Sequence, residues 1–69
     1  MRYHIVTNCS GDIGNSVCTI EAVSPRQALM LVDGIEYARE WPYSDDGAGG
    51  GMLADPDDPA RSVSADPMS

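Results

Sequence analysis

The chain has 69 residues and a formal charge of −7, with eleven Asp and Glu against four Arg, one His and no Lys. That length supports one domain at most, and a chain this short buries only about 60% of the surface its unfolded form exposes. The acidic balance argues against a direct reader of DNA or RNA and against anionic membranes, and favours basic protein surfaces as partners.

Apolar residues make up 42% of the chain, which is globular rather than disordered, but there is no Phe. Core filling therefore falls to Ile, Val, Leu, Met, Tyr3, Tyr37 and Trp41. So small a core often needs a second copy of itself, and a homodimer stays open. No apolar run reaches the roughly 18 residues of a membrane span. The N-terminus enters a strand with no apolar leader or cleavage site, which predicts a cytoplasmic protein.

Residues 2–8 alternate and are rich in β-formers, so they read as a strand. Residues 10–15 carry two glycines, Asp and Asn, the chemistry of a turn. Residues 16–23 form the second strand. If pairing follows residue numbers that sum to 27, the face toward a helix is Tyr3, Ile5, Cys18, Ile20 and Ala22. Cys9 then lies opposite Cys18, which permits a disulfide, although a reducing compartment favours two free thiols. A one-residue slip would exchange the faces.

The stretch 24–41 organises the rest. Ser24 can cap a first turn and Pro25 suits the first helical position. Ala28, Leu31, Val32, Ile35 and Ala38 recur at helical spacing, and Pro42 ends the run. The continuous spacing favours one helix with a weak point at Gly34 over two short pieces divided at Asp33. After Trp41 the composition shifts, and residues 42–59 read as a flexible acidic loop with Gly49 to Gly51 as hinge and Met52 and Leu53 as its apolar anchors. Residues 60–65 can add a short third strand with Val63 inward, followed by a frayed tail from Asp66. The expected fold is α+β: one domain over 1–69, a ββα framework at 2–41, order ββα(β).

Catalysis finds little support, because a nucleophile needs a base and an orienting group, and the only histidine, His4, reads as an edge or surface residue. Asp45, Asp46, Asp55, Asp57 and Asp58 offer hard oxygen ligands, but their spacing does not fit an EF-hand loop. No cofactor or metal is expected. The remaining signal is the acid itself. Asp33, Glu36 and Glu40 follow at helical spacing on the solvent side of the stripe, and the five loop aspartates extend them. Carboxylates held several Å apart can occupy a Lys/Arg groove built for a phosphate backbone, while the plain alternative is a charged face that keeps a small protein soluble.

The run Thr19-Ile20-Glu21-Ala22-Val23-Ser24-Pro25-Arg26-Gln27-Ala28, a strand passing straight into a capped helix, resembles the framework of several small phage-encoded proteins. Over roughly residues 3–40 the chain is similar in size, acidity and ββα order to type I anti-CRISPR proteins. The resemblance is architectural and carries no binding residue over. It implies a non-enzymatic inhibitor that covers a basic DNA-binding surface of a CRISPR effector subunit, with no direct contact to nucleic acid. The residues expected at that contact are Glu36, Glu40, Asp45 and Asp46, with Asp33, Asp55, Asp57 and Asp58 behind them. The rival is a generic interaction or regulatory module that uses a sheet edge or Trp41, Tyr43 and Met52.

Overall fold

A computed structural model describes residues 1–8, 15–58 and 60–68. Its elements are β1 (Arg2–Asn8), β2 (Asn15–Glu21), α1 (Pro25–Leu31), a 3-10 turn at Glu36–Ala38, β3 (Tyr43–Asp45), β4 (Gly51–Ala54) and β5 (Ser62–Met68). The five strands form one antiparallel sheet in the order β2-β1-β5-β4-β3. The coarse α+β expectation therefore stands, but the order is ββαβββ rather than ββα(β), and the sheet is wider than a hairpin with one added strand.

β1 and β5 lie inside the sheet, and alternate residues of every strand turn to the side that α1 covers. Tyr3, Ile5, Val63, Ala65 and Leu53 are buried there, joined by Ala22, Ala28, Leu29, Val32, Ile35 and Ala38. Four of these core residues are alanines. Among the described residues, no second layer covers the other side of the sheet, which carries half-exposed His4, Val6, Ser64 and Met52.

The predicted inward face of the first hairpin is correct: Tyr3, Ile5 and Ala22 are buried, and Cys18 and Ile20 pack against the core. The register is not. Ile5 pairs with Cys18 and Tyr3 with Ile20, sums of 23 rather than 27. The slip is an even number of residues, which leaves each side chain on its original face. Because Cys18 sits opposite Ile5, the proposed Cys9–Cys18 alignment does not hold; Cys9 itself and the turn at 10–14 lie outside the described residues. Ile5 pairs with Cys18 but Val6 pairs with Ser16, so Val17 is an extra residue bulged out of β2 and exposed.

The single helix over 24–41 is overturned. Its start is as expected: Ser24 Oγ accepts from Gln27 N at 3.1 Å, Pro25 opens the first turn, and Gln27 reaches back to Val23 N at 2.8 Å. The helix stops at Leu31 because β-branched Val32 turns extended (ψ 137°) and Gly34 takes φ +96°, a left-handed conformation that suits glycine. The chain then tightens into the 3-10 turn. With the helix cut short, its inward positions are Ala28, Leu29 and Val32, and Leu31 is 54% exposed instead of buried. Ile35 and Ala38 still reach the core, from the second piece.

The flexible loop and frayed tail are overturned as well. Tyr43 pairs with Leu53 and Asp45 with Gly51, so residues 43–54 form a hairpin, and β5 runs on to Met68. A side chain at Gly51 would collide with the Tyr43 ring, 2.6 Å from Cζ, so the ring covers the space that glycine leaves open. Val63 is inward as expected, and Leu53 does anchor the segment. β4 begins opposite Ala65, with Gly51, so Pro67 lies beyond its reach and leaves no bond to β4 unmade.

Candidate functional site

The acidic residues are first of all local structural elements. Asp46 Oδ1 accepts from Ala48 N at 2.7 Å and Gly50 N at 3.0 Å, closing the turn between β3 and β4. Asp55 Oδ1 accepts from Asp57 N at 2.9 Å, and Asp58 Oδ1 from Ala60 N at 3.1 Å, in the connection to β5. Both oxygens of Glu36 accept from Gly34 N at 3.1 Å, just past the end of α1. The backbone N–H groups of Glu36 itself and of Gly34 hold its carboxyl below the usual range. Asp45 accepts from the Tyr43 hydroxyl at 2.7 Å. Among the described residues, the carboxylates of Asp33, Glu40 and Asp57 have no such partner.

Topology divides the eight predicted contact residues into two groups. Arg39 Nη2 donates to Val32 O at 3.1 Å, which ties the end of α1, and with it Asp33, to the turn carrying Glu36 and Glu40. Ala54 N donates to Pro42 O at 3.1 Å, setting that turn beside the β4–β5 connection with Asp55, Asp57 and Asp58. Six carboxylates thus stand on neighbouring connections at one corner, without closing into a tight cluster. Asp45 and Asp46 sit at the other end of β4, whose four residues span about 13 Å at ~3.3 Å each. There Asp45 borders a shallow hollow of about 330 Å³, lined also by Pro25, Gly47, Gly49 and Gly50. The expected i, i+4 pairing of Glu36 and Glu40 on one α-helical face is lost, since only Glu36–Ala38 is helical and its geometry is 3-10.

Both arginines of the corner are engaged by the chain itself. Arg39 turns inward to Val32. Arg61 Nη1 lies 3.4 Å from Asp55 Oδ2, and its guanidinium stands 5.7 Å from the Tyr37 ring centroid and 5.3 Å from that of Trp41. Tyr37 and Trp41 meet edge to face at 5.5 Å. Tyr37, expected in the core, is 53% exposed. The Tyr37–Trp41–Arg61 group escaped sequence reasoning, although the i, i+4 spacing of the two aromatics pointed to a shared surface.

His4 is on an internal strand, not an edge. On the open face of the sheet its Nε2 lies 2.5 Å from Ser16 Oγ, and Asp66 is its neighbour across the β1–β5 pair. The three residue types of a hydrolytic triad are therefore close together. Among the described residues, His4 has no hydrogen bond to Asp66, so the orienting contact of such a triad is not made. Among the described residues, no three His, Cys, Asp or Glu are grouped to hold a metal ion. No helix among them is long and apolar enough to cross a membrane. No protein-family model, no curated protein and no solved structure matches the chain.

Proposed function

We propose that the chain is a non-enzymatic, acidic protein-binding domain that occupies a basic, nucleic-acid-binding surface of its partner in the cytoplasm. A CRISPR effector subunit is the first target to try. One observation carries this reading: of the two arginines among the six carboxylates, Arg39 bonds back to Val32 O and Arg61, its side chain 43% exposed, is paired with Asp55 and stacked near Tyr37 and Trp41, so acid outweighs uncommitted positive charge. The residues assigned to the contact are Glu40, Asp57 and Asp33, flanked by Glu36, Asp55 and Asp58. Asp45 and Asp46 form a separate, secondary patch.

Glu40→Lys with Asp57→Lys is the clean test, because neither carboxylate supports the fold. The double variant should keep the wild-type melting temperature and lose capture of the basic partner by tenfold or more, about 1.4 kcal/mol. Wild-type capture should weaken as salt rises, since exposed charges are screened beyond about 10 Å at 0.1 M. Undiminished capture or inhibition by the double variant overturns the assignment. The rival, an interaction module acidic only for solubility, is favoured by the engagement of Glu36, Asp45, Asp46, Asp55 and Asp58 with their own chain. It requires capture that does not respond to salt.

A further inference from the structure

The aromatic pair in this corner, Tyr37 exposed and Trp41 half-buried against the core, already meets one guanidinium, its own. Arg61 stands over Tyr37 and Trp41 at 5.7 and 5.3 Å while its Nη1 approaches the Asp55 carboxylate at 3.4 Å. A planar cation is thus held between π faces and an acid, an arrangement that uses the ring quadrupole and the carboxylate together. Tyr37 remains 53% exposed, so ring surface beyond Arg61 is left facing solvent. Carboxylates accompany that surface, with Glu36 next to Tyr37 and Glu40 next to Trp41 in sequence.

We propose that the Tyr37–Trp41 pair is an arginine-recognition site, which anchors the partner through an arginine side chain laid on Tyr37. The proposal rests on the basic-partner reading and narrows it from positive charge in general to guanidinium in particular. A lysine ammonium is a compact, strongly hydrated point charge. It gains less from a flat ring and cannot present a fork to a carboxylate.

Trp41 is the only tryptophan of the chain, so its emission reports the site directly. The experiment titrates the full chain at low salt with a capped Arg-Gly-Arg-Gly-Arg peptide and with its lysine counterpart. The arginine peptide should give a saturable change in Trp41 emission, and the lysine peptide should bind about threefold to fivefold more weakly. Tyr37→Ala should lower affinity for the arginine peptide by a similar factor without moving the melting temperature, and Tyr37→Phe should restore it. Equal affinity for the two peptides, or an unchanged titration in Tyr37→Ala, overturns the arginine site. If Tyr37→Ala still captures the basic partner while Glu40→Lys with Asp57→Lys does not, the arginine site falls and the acidic-surface reading survives. If neither variant loses capture, both fall.

Discussion

The two hairpins of this sheet are held together by different means. In β1–β2, strands of seven residues carry alternating apolar side chains, and the core takes Tyr3 and Ile5 from β1 with Cys18 and Ile20 packed beside them. In β3–β4, strands of three and four residues bring only Leu53 to the core as a fully buried side chain, with Tyr43 half-buried beside it. There the turn is closed by Asp46, and the Tyr43 ring lies over Gly51. Burial organises the first hairpin, whereas local polar bonds and one ring over a glycine organise the second. An acidic, glycine-rich stretch can therefore be ordered without an apolar pattern.

The contrast can be broken from either side. Ile5→Ala removes a fully buried side chain at the centre of the sheet and should cost about 2–5 kcal/mol. In a domain this small that is enough to unfold much of the population, visible in urea melts. Gly51→Ala should cost about 1–3 kcal/mol by driving a methyl into the Tyr43 ring. Val17→Ala, at the exposed bulge of the other hairpin, should stay within about 0.5 kcal/mol. A Gly51→Ala domain as stable as the parent would show that the ring does not hold β4.

Asp46→Ala takes the acceptor from Ala48 N and Gly50 N, and should cost about 1 kcal/mol. Hydrogen exchange should speed up at the β3–β4 turn before it does in β1. The smallest effect at neutral pH concerns Tyr43. Burial, the hydrogen bond to Asp45 and the charge of Asp45 push its hydroxyl up to about 12. The folded state thus favours the neutral phenol, a contribution complete below pH 10 and lost as pH rises toward about 12. Wild type should lose more stability than Tyr43→Phe over that interval, and identical pH profiles would remove Tyr43 as the cause.

The same contrast explains what could be read from the residues alone. The inward face of β1–β2 was legible because alternation survives an even slip of register, so Ile5 stayed inward though its partner changed from Ala22 to Cys18. The end of α1 was harder. Leu31 and Ile35 continue a helical spacing, yet Val32-Asp33-Gly34 turns the backbone out of the helix, and the glycine outweighs the pattern. In residues 42–59 the Asp46-Gly47 pair was a hairpin signal, but neighbouring glycines and prolines imitate a linker. Only tertiary contact with Tyr43 and Ala65 shows why Gly50 and Gly51 have no side chain. For the candidate site, the acids were visible and their grouping was not, because the turn carrying Glu36 and Glu40 is joined to Val32 and to Ala54 by bonds of Arg39 and Pro42 that no spacing encodes.

The bulge at Val17 has a consequence for how copies of this chain meet. β2 and β3 are the outermost strands, one kinked by that extra residue and the other only three residues long. A kinked rim and a stub are poor templates for an incoming backbone. Extension of the sheet into fibres is discouraged on both flanks, and recognition is left to side chains.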